Sequence, residues 1–417
     1  MLQNKLCITA LALLLAQAAM AQTMKLDAIL DSIRMANPVV KMYENEIRSM
    51  DEAAKGARSW MAPQVGAGQF MTPYNTALWK QDGDMPGMGS VMLSAEQMFP
   101  NKKKLDAEEA YMKAMSAGEV QKKGASLNEL VSDAKLLYYD WIVLKKRQGV
   151  LLENERILDF MIKNAEIRYR NGLDKINAYY KAKAALGMVQ NMQLMYESDI
   201  RENRIRLNTL MNRNALAPLE IDTLFNLADY GGLIFDSTLF YGSRSDLKAI
   251  DNDIQLSLLK QESERMSLKP QFGVRYDHMI GFGGQPMLYT IMGMVKLPMT
   301  GWASKMNKAN AESLKWKANA LQSQKEMLVN EFSGMAYGMR NEFELKKKQL
   351  KLYETTIIPA LNNNFKTMQL GYEQNTEELF MLYDAWESLN MKQMEWLGLL
   401  NEALRLQVTI ERLIEKK

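Results

Sequence analysis

The residues of this chain that could bind or transform a ligand are few, and most of them carry sulfur. Methionine occurs 33 times in 417 residues, and thioethers are soft donors suited to monovalent copper or silver. Close pairs stand at Met85 and Met88, Met192 and Met195, Met292 and Met294, and Met391 and Met394. The methionines nevertheless run through the whole chain, and the residue is also an adaptable core filler and a good helix former. No metal site is expected, and Met292 and Met294 are the pair that comes nearest to one. His278 is the single histidine and lies beside Tyr276 in a strand-like run, where an interfacial ring is expected rather than a ligand or base. There is no Cys/His pair, no spaced histidine cluster and no glycine-rich phosphate loop after a strand, so neither catalysis nor a cofactor is expected. Gly281-Phe282-Gly283-Gly284 falls between two alternating runs and reads as a hairpin loop. Lys+Arg at 52 against Asp+Glu at 49 leaves no basic field for nucleic acid.

The N-terminus reads as an export signal over 1–21. Lys5 supplies the positive start, Ile8 to Leu15 the apolar core, and Ala19-Met20-Ala21 the small-residue cleavage site. That core is too short to span a bilayer, which takes about 20 apolar residues. The single cysteine, Cys7, precedes the apolar core, so lipid anchoring is not expected. The exported chain would hold no thiol, which excludes disulfides and thiolate chemistry. An exported chain without a spanning helix is still compatible with a membrane barrel, whose strands need only about 10 alternating residues each.

The elements that must position anything functional are written twice. Each repeat runs helix, proline, alternating hairpin, proline, very long helix, tip and returning helix. The first hairpin opens at Met61-Ala62-Pro63-Gln64 and closes at Phe99-Pro100; the second opens at Leu268-Lys269-Pro270-Gln271 and closes at Leu297-Pro298. No proline lies between Pro100 and Pro218, between Pro298 and Pro359, or after Pro359, and those gaps are rich in strong helix formers. Leu127, Leu130, Ala134, Leu137, Trp141 and Leu144 form a heptad-like seam. Helix from Lys102 to Ile167 would be roughly 100 Å long at about 1.5 Å per residue, so its stripe must be buried by neighbours. Tips are expected at Arg168-Tyr169-Arg170-Asn171-Gly172 and at Gly371-Tyr372-Glu373-Gln374-Asn375, where Gly172 and Asn375 both accept a left-handed turn.

The expected organisation is a first repeat over 22–213 (hairpin about 64–99, helices about 102–167 and 175–213), a linker over 214–245, and a second repeat over 246–417 (hairpin about 271–297, helices about 302–370 and 377–415). Phe272, Val274, Tyr276, His278 and Ile280 alternate with Gln271, Arg275 and Asp277; Tyr289, Ile291 and Val295 alternate with Thr290 and Lys296. The run from Gln64 to Tyr74 is expected as a strand of poorer phase. The fold class is thus mostly α with a small β contribution. A duplicated unit that cannot close its own sheet requires several copies before it is complete, which points to an oligomeric barrel and a pore.

These features resemble the TolC-type outer-membrane efflux proteins. The resemblance covers nearly all of the exported chain, and its most specific stretch is Gly371-Tyr372 through Leu379, Asp384-Ala385 and Leu389. It implies a homotrimer with a twelve-stranded barrel in outer-membrane lipid, an α-helical tunnel in the periplasm, and a passive exit duct for a tripartite efflux or type I secretion system. A periplasmic adaptor and an inner-membrane pump would be its partners. It also implies a gate at Asp384 and Met381, where Met381 replaces a second carboxylate common in the family, so a weaker acidic ring is expected. Arg170, Asn171, Gly172, Leu173, Gln374, Asn375 and Thr376 would form the adaptor-contact tips. The alternatives are a copper- or silver-type efflux channel of the same fold, and a periplasmic coiled-coil adaptor without a pore, which would leave the alternating hairpins unexplained.

Overall fold

A computed structural model describes residues 23–172 and 175–416. The expected export signal at 1–21, with Cys7, and the tip residue Leu173 lie outside the described residues. In chain order the elements are β1 (Thr23–Met24), α1 (Leu26–Ala36), α2 (Pro38–Lys55), β2 (Gln64–Phe70), β3 (Ser90–Phe99), α3 (Lys102–Arg170), α4 (Ile176–Leu210), β4 (Glu220–Ile221), α5 (Ser237–Ser243), α6 (Ser245–Met266), β5 (Gln271–Gly281), β6 (Leu288–Lys296), α7 (Lys305–Leu352), α8 (Ile358–Glu373) and α9 (Leu379–Leu413). The described residues fall into two compact units, a sheet unit (43–122 and 246–327) and a helical unit (23–42, 123–172, 175–245 and 328–416).

In the sheet unit the strand order is β2-β3-β5-β6, antiparallel throughout, with β2 and β6 at the edges. Period-two alternation gives this sheet two unlike faces. Val65, Leu93, Phe272, Val274, Tyr276, Tyr289, Ile291 and Val295 stand exposed on one face, and Tyr289 is 68% exposed. Ser94, Glu96, Arg275, Asp277 and Thr290 share the other. His278 stacks beside Tyr276 on the apolar face, with ring centroids 6.4 Å apart. The strand expected over Gln64 to Tyr74 ends at Phe70, because Met71 turns the chain with φ of 51°. The following loop folds back through a short 3-10 turn, Thr76–Trp79, and Trp79 stacks on Phe282 at 5.1 Å.

The helical unit is organised the opposite way, with apolar side chains inward. Ala134, Leu137, Trp141 and Leu144 of the expected seam are buried, and so are Tyr138, Ile142 and Val143 on the flanks. α3 is therefore covered on more than one stripe. Part of the cover is the linker, which is not featureless: β4 pairs in parallel with β1, and the Tyr138 hydroxyl donates to the Asp222 carbonyl at 2.7 Å. Burial pushes Tyr138 and Tyr139 up to about 12, with carboxylates nearby acting in the same direction. Glu411, itself buried, accepts from Lys135 at 2.6 Å and from the Tyr230 hydroxyl at 3.4 Å.

The helix expected over 302–370 is not one α-helix. Between α7 and α8 lies a π turn, Tyr353–Ile357, in which the Ile358 amide donates to the Tyr353 carbonyl. Two facts account for it. Pro359 has no amide hydrogen and its ring crowds the carbonyl four residues back. The buried stripe also changes step here: Ala336, Phe343 and Leu350 are seven apart, Phe365 and Tyr372 are seven apart, but Leu350 to Phe365 spans 15. One residue in excess of two heptads is absorbed where the helix widens.

Candidate functional site

The candidate site lies at the end of the helical unit where both helical hairpins turn. At the first turn the Asn171 amide donates to the Ile167 carbonyl and Gly172, at φ of 72°, donates to the Tyr169 carbonyl. Arg170 pairs with Glu166, and the Asn171 side chain donates back to the Ile167 carbonyl. At the second turn Gln374 and Asn375 donate to the Leu370 and Tyr372 carbonyls, and Thr376 and Glu377 both donate to the Gly371 carbonyl. Asn375 takes the left-handed conformation at φ of 61°. Gly371 is required by close approach: a Cβ there would lie 2.6 Å from Glu377 Cγ. The described tip residues Arg170, Asn171, Gly172, Gln374, Asn375 and Thr376 are all exposed.

The two turns are tied together by a residue that sequence reasoning placed in the tip but gave no role. The Arg168 guanidinium lies over the Tyr372 ring at 4.7 Å, donates to the Tyr372 carbonyl at 3.4 Å and also donates to Asn375 Oδ1. A guanidinium over a desolvated aromatic face is worth about 2 kcal/mol. Beneath it, Lys181 of α4 sits over Phe380 and Tyr383 of α9, at 4.5 and 4.1 Å. Farther in, buried Asn154 accepts from Trp386 Nε1 at 2.9 Å and donates to Asn390 Oδ1 at 2.6 Å. These pairings join residues about 200 or more positions apart; the sequence signal is that a lone Asn and a lone Arg interrupt apolar stripes.

Met381 and Asp384 lie one turn apart on α9, both exposed, with Met381 at 47%. The opposite face carries Leu379, Leu382, Ala385, Trp386 and Leu389, all buried in the core that also holds Leu158, Ala182 and Phe365. A thioether and a carboxylate are thus presented together, away from the helix's own core. Burial and the neighbouring Glu387 carboxylate raise the Tyr383 hydroxyl above its ordinary value. A cleft of about 760 Å³ between α3, α8 and α9 is lined by Lys146, Glu153, Arg156, Phe160 and Trp396 among others, with Glu153 and Arg156 ion-paired at 3.6 Å. Among the described residues no cluster of His, Cys, Asp or Glu could hold a metal. Met292 and Met294 lie in the sheet unit, both on its polar face.

The sequence profile of the outer membrane efflux protein family matches residues 29–213. No curated protein matches the sequence. Among solved structures, the outer-membrane channel OprN is similar with a TM-score of 0.75 at 13% identity, covering 94% of this chain and 90% of that one. VceC from Vibrio cholerae gives 0.73 at 15% identity, covering 93% and 95%. CusC gives 0.73 at 11% identity, covering 95% of each chain. The chain therefore carries the efflux-protein signature over its first repeat and the outer-membrane efflux channel fold over nearly its whole length. Family and neighbours alike are channels and not enzymes.

Proposed function

We propose that three copies of this protein close their four-stranded sheets into one twelve-stranded barrel in the outer membrane and form a passive exit duct. The observation that carries the reading is the sheet itself. It has two unpaired edges, β2 and β6, and an exposed face of Val, Ile, Phe and Tyr. In water such a face and such edges are liabilities; in lipid, joined edge to edge, they are what a barrel needs. Strands of 10, 11 and 9 residues in β3, β5 and β6 suit a bilayer, which takes about 9–11 tilted residues.

In this reading the helical unit is the periplasmic part. Asp384 and Met381 face the axis near the narrow end, where a ring of three carboxylates favours cations. Arg170, Asn171, Gly172, Leu173, Gln374, Asn375 and Thr376 meet a periplasmic adaptor, and an inner-membrane pump supplies the energy. The Arg168 contacts support this by giving the tips a discrete tie that movement must break.

Single-channel conductance of the purified protein in planar bilayers tests the reading, wild type beside Asp384→Ala. A small wild-type conductance that rises or loses cation preference in the variant is expected. A conducting pore indifferent to the substitution would move the gate elsewhere. A membrane-inserted trimer that never conducts, even with Arg168→Ala added to release the tips, would overturn the channel.

A further inference from the structure

The polar face of the sheet carries its own charge arrangement, distinct from the tips. Pairing registers align Gln64, Glu96, Arg275 and Met292 in one cross-strand row, and Gly66, Ser94, Asp277 and Thr290 in the next. Arg275 Nε donates to Asp277 Oδ1 at 2.9 Å, and Glu96 stands directly opposite Arg275 on β3. One guanidinium is therefore flanked by two carboxylates on adjacent rows. Asp277 is only 3% exposed, whereas the Arg275 side chain stays about one-third exposed. Lys296, the remaining charge of this face on the paired strands, lies two rows away from Arg275, opposite Gln271. The arrangement covers the acid and leaves the base accessible.

We infer that Arg275 sets the ion preference of the strand-lined part of the duct by offsetting part of the negative charge of Asp277 and Glu96. This rests on the channel reading and deepens it: three copies would present six carboxylates and three guanidinium groups in two adjacent rings. With Arg275 in place the two rings of the trimer keep about half of their negative charge. Without it, all six carboxylates would stand unneutralised, and such rings favour cations and resist anions. The duct therefore discriminates by charge at a second level independent of Asp384, and Arg275 weakens its cation preference there.

The test is reversal potential in a potassium chloride gradient across planar bilayers, with wild type, Arg275→Met and Asp277→Asn. Arg275→Met keeps much of the side chain's apolar bulk and should raise the cation-to-anion permeability ratio several-fold. Asp277→Asn should lower it, so the two shifts have opposite sign. If all three proteins conduct and share one reversal potential, Arg275 and Asp277 are a structural ion pair only and the inference fails while the channel stands. Absence of conductance from the membrane-inserted protein, both wild type and with Arg168→Ala added, would instead sink the channel reading. Should Arg275→Met fail to assemble, Glu96→Gln, which leaves the Arg275–Asp277 pair intact, must still lower the ratio for the inference to survive.

Discussion

The sheet unit and the helical unit obey opposite rules of polarity. In the helical unit Phe343, Trp141, Leu382 and Trp386 are buried and the charges are outside apart from the paired Glu411 and Lys135, as for any protein in water. In the sheet unit Phe272, Tyr276, Tyr289 and Ile291 are exposed while Asp277 is covered. In the proposed channel the two units meet different surroundings, and hydrophobic burial has to be judged against the local solvent.

The largest effect that would sharpen this contrast is expected in the helical core. Trp386→Ala removes a buried ring and strands Asn154, and should cost about 3–5 kcal/mol, seen as a lowered denaturation midpoint of the helical signal with the sheet's membrane integration unchanged. In the sheet unit Ile291→Arg places a charge on the apolar face and should cost about 2–4 kcal/mol of folding into vesicles. The same substitution at an exposed site in water would be nearly silent, so equal stability of Ile291→Arg in lipid would break the comparison. Next comes alkali. Tyr138 and Tyr139 are held near 12 against about 10 in an unfolded chain. Their contribution is complete below about pH 10, and because the unfolded state gives up its protons first, it is lost as pH rises through about 12. Tyr139→Phe should flatten that alkaline fall by on the order of 2 kcal/mol, measured by melting at pH 9 and pH 11.5. The smallest effect is at the tip: Asn375→Gly relieves a non-glycine left-handed residue but removes the Oδ1 that accepts from Arg168, so it should destabilise the tip by less than about 1 kcal/mol, visible as faster local amide exchange.

Much of this was legible beforehand. Proline-free gaps located the long helices, and alternation over Phe272 to Ile280 gave both faces of β5 and their phase. Gly172 and Asn375 announced their left-handed turns. Other features could not be read because they depend on partners far along the chain. Tyr138 is an ordinary seam neighbour until Asp222 arrives to accept its hydroxyl, and nothing near Arg168 announces Tyr372. The stretch from Gln64 to Tyr74 was read too long because Met71 has no sequence mark of its backbone reversal. The 15-residue step from Leu350 to Phe365 was written in the sequence, and it needed only a count along the stripe to be seen.

That step makes the helix behave like a gear with one surplus tooth. Each residue turns an α-helix by about 100°, so the π turn at Tyr353–Ile357 sets the rotational clock for everything from Ile358 to the tip at Asn375. Deleting one residue there would restore both an unbroken α-helix and an even two-heptad step, leaving Phe365 and Tyr372 in the core. Closing the turn into α-helix without that deletion, or adding a second residue, would swing both side chains about 100° away from it. The orientation of the Tyr372 ring beneath Arg168 is thus decided nearly 20 residues earlier, by a carbonyl that accepts one position late.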